Sequence, residues 1–428
     1  MNKLITDTTS FINKYYKKIS VIFILIFIIQ VFLYGPKIGQ SPVFTVQYFS
    51  GAKLFNIDRG WRFDKNETDK MKALKGYDIY TYQFDNPKKA ISTYNENSSG
   101  LLYVIFFAEH IFPFLGPIGA LVLLQIIIHL ICCFIIYFKL KRPVEKILFL
   151  LLYFINPIAV YFVIFPMYYF WTIIPSAIFL YYYIDSKTTN LTGYIFTSVL
   201  CFIVYTIRPT VLPLLLLIPA YNYFKTRNLK PLIAFPVYLI LFFGWNHYLN
   251  FTKNYTPWHT MFVGVGAYPN NYPYLQKLSD NEGFDRYDSI TGLKISNSIN
   301  GNFHADSIRN DYSKVIESEY LKIVKESPLI IIRNGLLNYL QSFSVGYKTK
   351  TSFLVNILIS LSGLILIFFL IKFKKWPLLI AISFSAISFT PYYPPIPAYM
   401  YGNFILIAYS IVSVIYSLKF LREGSVNK

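Results

Sequence analysis

The chain has 428 residues and a formal net charge of +19, with 55% hydrophobic and only 14% charged residues. Soluble domains sit near about 45–50% apolar and about 25% charged, so a water-soluble globule and a disordered chain are both excluded. A disulfide-stapled secreted scaffold is excluded too, because Cys132, Cys133 and Cys201 all lie inside apolar runs. What remains is an all-α polytopic membrane protein.

The basic excess does not point to nucleic acid. Lys and Arg fall in short clusters between apolar runs, at Lys139-Leu140-Lys141-Arg142, Lys225-Thr226-Arg227 and Lys372-Phe373-Lys374-Lys375. That is the positive-inside pattern of cytoplasmic loops, not a groove for phosphodiesters. The aromatic share, 19%, decides nothing alone, since runs such as Tyr181-Tyr182-Tyr183 suit a membrane interface.

A helix crossing the hydrocarbon needs roughly 20 apolar residues. About ten crossings are predicted, near 19–35, 117–138, 146–164, 168–184, 191–207, 210–224, 231–248, 352–371, 377–392 and 399–418. The first follows Lys14, Lys17 and Lys18 and lacks a small-x-small cleavage site, so it reads as a retained anchor. With the N-terminus inside, both termini are cytoplasmic, and Arg208 is the lone charge in the three short outer turns.

The crossings form one membrane domain, 1–428, with two large outer-face loops, 36–116 and 249–351. The first carries seven acids before Gly100, then an apolar stretch from Leu101 to Phe114 that is too short to span. The second is rich in Asn, Tyr and Asp and ends in another short helix, Pro328 to Phe343, interrupted by Arg333, Asn334 and Asn338. Both short helices are expected to lie at the interface.

No Asp, Glu, Lys or Arg falls in the middle of any predicted crossing, which disfavours an ion-coupled carrier. His129 reads as a neutral histidine bonded to a neighbouring helix rather than a proton relay. The acids gather in the two loops instead: Asp58, Asp64, Glu67, Asp69, Asp78, Asp85 and Glu96, then Asp280, Glu282, Asp285 and Asp288. Any one of these is more often a solvated loop residue, but their clustering offers a general base. Arg208-Pro209 ends a span; a guanidinium there suits an anionic headgroup and can steady a phosphate leaving group. The five histidines are scattered and no metal motif is present, although paired loop carboxylates leave a divalent cation open. No glycine loop for nucleotide phosphates occurs.

Several features together resemble the GT-C superfamily of polytopic glycosyltransferases. These are the anchor helix with its acidic loop, Pro113-Phe114-Leu115-Gly116 leading into the second span, Asn156-Pro157 within the third, and the span-end Arg208-Pro209. The stretch from Trp258 to Asn270 is also similar to one in bacterial members. Where many members carry an acid this chain holds Phe44 and Tyr168-Tyr169-Phe170, so the base does not carry over position by position.

The resemblance implies a polyprenyl-phosphate-linked sugar as donor, a cell-surface glycan, lipid or protein as acceptor, and a bacterial cell membrane. The expected base is Asp78 or Asp85, with Asp58 third. Arg208, His259 and Arg333 are expected to hold the donor phosphate, and Trp258, Tyr268, Asn270, Asp280 and Asp285 to form a substrate loop. Two rivals stay open. A surface-polysaccharide polymerase or ligase often carries an Arg with a Gly eleven positions on, which no arginine here has. A non-catalytic exporter of lipid-linked sugar should line a central cavity with cations.

Overall fold

The computed structural model describes residues 2–35, 48–49, 52, 65–84, 100–185, 190–249, 257–293, 306–349 and 351–426. Within them every element is helical. In chain order these are α1 (Asn2–Tyr34), α2 (Lys65–Ala73), α3 (Asp78–Thr81), α4 (Gly100–Ile111), α5 (Pro117–Lys139), α6 (Pro143–Phe149) and α7 (Pro157–Ile164). Next come α8 (Ile173–Ile184), α9 (Leu191–Ile207), α10 (Leu212–Thr226), α11 (Ala234–Leu249), α12 (Trp258–Val265) and α13 (Asp280–Thr291). The last are α14 (Asp306–Glu326), α15 (Pro328–Gln341), α16 (Phe353–Lys372), α17 (Trp376–Ala386) and α18 (Tyr401–Val426).

Among the described residues four helices are long and apolar enough to cross a membrane: Ser10–Tyr34, Pro117–Lys139, Phe353–Lys372 and Tyr401–Leu418. A fifth crossing results if the pair Pro143–Phe154 and Pro157–Ile164, bent by 57°, counts as one. The other five predicted crossings fold as shorter helices. The one expected over 377–392 stops at Ala386 because Pro391, Pro394 and Pro395 lie beyond it and cannot extend a helix. The two short helices expected at the ends of the loops are present as α4 and α15.

The bend at Asn156-Pro157 has a local cause. Pro157 lacks an amide hydrogen and pushes Asn156 out of helical geometry, to φ −64°, ψ 123°. The Asn156 side chain then accepts from the Ile158 amide at 2.9 Å and donates to the Leu152 carbonyl at 3.2 Å. Two glutamines from other helices satisfy carbonyls at the two ends of α7, one at the break and two where the helix stops. Gln30 Nε2 donates to Ile155 O at 3.0 Å, and Gln125 Nε2 donates to Val163 O at 2.8 Å and Phe165 O at 2.9 Å. In hydrocarbon each unsatisfied carbonyl would cost several kcal/mol.

One core runs through the bundle, from Phe27 in α1 through Cys133, Phe154, Phe179 and Leu215 to Ile405 in α18. His129 is fully buried there, stacked on Phe27 and Phe154, with Nδ1 3.3 Å from the Tyr401 hydroxyl. Its Nε2 lies 3.5 Å from Cys133 Sγ on the same helix. The open face of α16 is largely apolar, with Leu354, Leu358, Ile365 and Phe368 more than half exposed, as for a helix facing lipid, while Asn356 and Ser360 lie on its buried side.

A second core joins the helices of the long second loop, α12 to α14, through Phe262, Leu275, Tyr287, Ile316 and Ile323. It is tied to the bundle by polar bonds: Tyr268 Oη to Asn338 at 2.8 Å, and Tyr347 Oη to Ala267 O at 2.6 Å. Gly264 gives the closest approach, since a Cβ there would lie 2.0 Å from the Tyr392 carbonyl. The opposite end of the bundle gathers the basic clusters. Lys139 pairs with Asp185, Lys225 caps the end of α8 by bonding three carbonyls, and Arg142 lies 3.9 Å over Tyr416.

Candidate functional site

The residues that carry the chemistry lie at the loop-bearing end. Pro209 ends α9 and turns Arg208 into extended geometry, φ −143°, ψ 88°. The guanidinium lies 5.0 Å from the Tyr168 ring, 5.1 Å from Tyr169 and 4.6 Å from Tyr399. These rings come from the turn before α8 and the turn before α18, so three separate chain segments build the box. Ring faces attract a cation by roughly 0.5–2 kcal/mol each, offsetting only part of the several kcal/mol that withdrawing a charge from water costs. No carboxylate pairs with Arg208 among the described residues, so the local balance stays positive, the condition for receiving an anion.

The second charged group is a carboxylate held by a histidine. His259, in the first turn of α12, places Nε2 3.3 Å from Asp280 Oδ1 and Nδ1 2.5 Å from the Tyr312 hydroxyl. With Nε2 donating to the carboxylate, Nδ1 is left to accept from Tyr312. Phe284 stacks on the imidazole at 5.3 Å. A side chain at 283 would place its Cβ 2.6 Å from the Tyr312 hydroxyl and 2.9 Å from Nδ1, so glycine is what lets α13 lie against this pair.

Asp280 opens α13 on a rigid turn. Ser279 caps the helix, and Glu282 reaches back to accept from the amides of Gln276 at 2.6 Å, Lys277 at 2.8 Å and Ser279 at 3.3 Å. The His259 hydrogen bond holds the Asp280 carboxyl below its ordinary value, against the upward push of desolvation. Its side chain is 68% exposed, yet its charge acts on Tyr312, Tyr393 and Tyr399. Tyr393 and Tyr399 lie with ring centroids 5.4 Å apart, and Tyr399 interacts with both Asp280 and Arg208.

The other sequence-derived candidates divide cleanly. Asp78 begins a single helical turn, is exposed, and has no interaction with Arg208 among the described residues. Asp58 and Asp85 lie outside the described residues. Arg333 donates to the Pro269 carbonyl at 2.8 Å and to Asn334 at 2.9 Å, clasping α15 to the turn after α12. Asn270 folds that turn, donating to the carbonyls of Val265, Tyr268 and Leu275 and accepting from Tyr272. Tyr268 is buried between Tyr347 and Phe353, Trp258 packs at 6.0 Å from Tyr320, and Asp285 is exposed on α13. His259 meets Asp280 and Tyr312, with no contact to Arg208 among the described residues.

Sequence reasoning missed Tyr168, Tyr169 and Tyr399 as the walls around Arg208, and Tyr312 behind His259. Among the described residues no group of three or more His, Cys, Asp or Glu comes together to hold a metal. Compared with known proteins, the chain matches no family model, no curated protein and no solved structure. The fold defines a helical protein with helices long and apolar enough to cross a membrane, and its loop-bearing end holds Arg208 among three tyrosine rings.

Proposed function

We propose that this chain is an integral membrane glycosyltransferase that moves a sugar from a polyprenyl-phosphate donor to a cell-surface acceptor. One observation carries the reading: Arg208, a cation without a carboxylate, and the open carboxylate of Asp280 both act on Tyr399. In this scheme the donor phosphate meets Arg208, and Asp280 takes the place expected of Asp78, Asp85 or Asp58. The acceptor hydroxyl gives its proton to Asp280 as its oxygen bonds to the anomeric carbon. The bond from that carbon to the phosphate oxygen breaks with inversion, and the departing lipid phosphate carries its new charge against Arg208. His259 orients the carboxylate.

An apolar groove supports the lipid donor. It has a volume of about 360 Å³ and is lined by Leu152, Ile158, Ile365, Phe369, Ile411 and Ile415 among others. It follows α18 from Phe404, five residues below Tyr399, to Ile415, roughly 16 Å along the helix. Under the proposed topology of ten crossings the basic end is cytoplasmic, and the loop-bearing end lies on the outer side of a bacterial cell membrane.

The test is the structure of the surface glycan, by mass spectrometry and NMR, in a deletion strain complemented with wild type or Arg208→Ala. The expected result is loss of one sugar substituent at unchanged chain length, restored by wild type alone. Collapse of repeat number would favour a polymerase, and accumulation of complete lipid-linked units inside the cell an exporter; either overturns the proposal. Full complementation by Arg208→Ala at normal membrane level removes the phosphate role.

A further inference from the structure

A second cavity, of about 410 Å³, adjoins the turn that carries Asp280. That lies within the range of small-molecule sites, roughly 300–1,000 Å³. One wall is aromatic, from Tyr347 and Phe353, with Tyr268 packed behind both. The other is polar, from Gln276, Lys277 and Thr349. A sugar ring has apolar C–H faces and a rim of hydroxyls, so it needs a wall of each kind.

The polar groups are fixed in ways that leave their working ends open. The Gln276 amide nitrogen donates to Asn270 O at 3.1 Å and Tyr272 O at 2.8 Å, while its carbonyl oxygen accepts no hydrogen bond among the described residues. Asn356 clamps the backbone of Lys348, donating to its carbonyl at 3.2 Å and accepting from its amide at 3.1 Å. Tyr347 is pinned by Pro395 O at 2.8 Å and by Ala267 O.

Charge completes the description. Lys277 and Lys348 are both exposed and pair with no carboxylate among the described residues. Glu282, the acid nearest this turn in sequence apart from Asp280, spends its oxygens on three backbone amides. The rim is therefore positive, three residues from Asp280 on the same capped turn.

We propose that this cavity is the acceptor subsite and takes an anionic sugar residue, one bearing a carboxylate or a phosphate, whose hydroxyl is presented to Asp280. This rests on the transferase reading for its role, but its occupancy is measurable without any transfer. The full chain in phosphatidylcholine nanodiscs is titrated with glucuronic acid, glucose 6-phosphate and glucose by saturation-transfer NMR, as wild type and in an Arg208→Ala background that removes phosphate binding at the tyrosine box. At least one anionic sugar is expected to bind about fivefold tighter than glucose, the scale of one partly exposed charge pair, in both backgrounds. Lys277→Gln should erase that preference, and Thr349→Trp should abolish binding of all three at unchanged melting temperature. Equal affinity for glucose, indifference to Lys277→Gln, or a signal lost with Arg208 overturns the subsite. Binding retained in a chain that fails the glycan test leaves the subsite standing and sinks only the transferase reading. Which anionic probe binds tighter distinguishes a uronic acid from a phosphorylated sugar.

Discussion

Arg286 and Arg208, two of the arginines that lie over tyrosine rings, have opposite surroundings. Arg286 sits 4.3 Å over Tyr274 and also bonds Glu319 through Nε at 2.7 Å and Nη2 at 2.5 Å, locking α13 to α14. Arg208 has three rings and no carboxylate among the described residues. The paired guanidinium is spent on holding two helices together. The one set among π faces hydrogen-bonds the Tyr399 hydroxyl and, with no carboxylate partner among the described residues, keeps its positive charge for a ligand, at some expense in stability.

That contrast can be broken by substitution. The largest effect is expected from Asp280→Asn, which should lower transfer by about 10²–10⁴-fold, the worth of a well-placed general base, in an assay with a lipid-linked donor. Arg208→Ala should lower transfer by about 10²–10³-fold with a melting temperature unchanged or raised, because it removes a cation no carboxylate balances. A clear loss of stability with full activity would reverse the roles assigned to the two arginines.

Arg286→Ala should do the opposite. Its pair is largely buried, 24% and 14% exposed. Breaking it should destabilise the loop layer by about 3 kcal/mol, read as protease cleavage within 280–326. Gly264→Ala tests the seam between the layers, where a methyl would meet the Tyr392 carbonyl. A cost of about 1–3 kcal/mol is expected in thermal denaturation.

The smallest effect concerns pH. A carboxyl held below its ordinary value stabilises the fold above the unfolded pKa, about 3.9, and loses that contribution as pH falls through the folded value. Wild type should therefore melt slightly above Asp280→Asn at neutral pH, with the gap closing below about pH 4. A gap that widens on acidification would show that His259 does not stabilise the charged form. The exposure of Asp280 keeps the difference small.

The bundle was more legible than the site. Long apolar runs mark α5, α16 and α18 within a few residues at their starts, and Pro157 marks the bend, because hydrocarbon demands length and backbone satisfaction. Of the helices of the second loop α15 was read, and α12 to α14 were not. Ser279 and Glu282 stand at the spacing of a capping box and could have announced α13. Arg208 stood out as a lone charge, but its walls come from positions 168, 169 and 399. No local pattern joins those to 208, nor His259 to Asp280 and Tyr312. Tyr268, Asn270 and Arg333 looked like ligand residues because polar and aromatic side chains near a turn serve folding and binding equally well. Only their filled hydrogen bonds tell the two apart.

The bend at Asn156-Pro157 also sets an order of manufacture. A carbonyl at the break is met by Gln30 and two at the far end of α7 by Gln125, and the ribosome makes both glutamines before the residues they serve. When the broken hairpin enters the bilayer, both donors are already there to meet it. A chain given the same segments in another order would have to insert the break unassisted. The sequence of events in biogenesis is thus written into which helix carries the glutamine and which carries the proline.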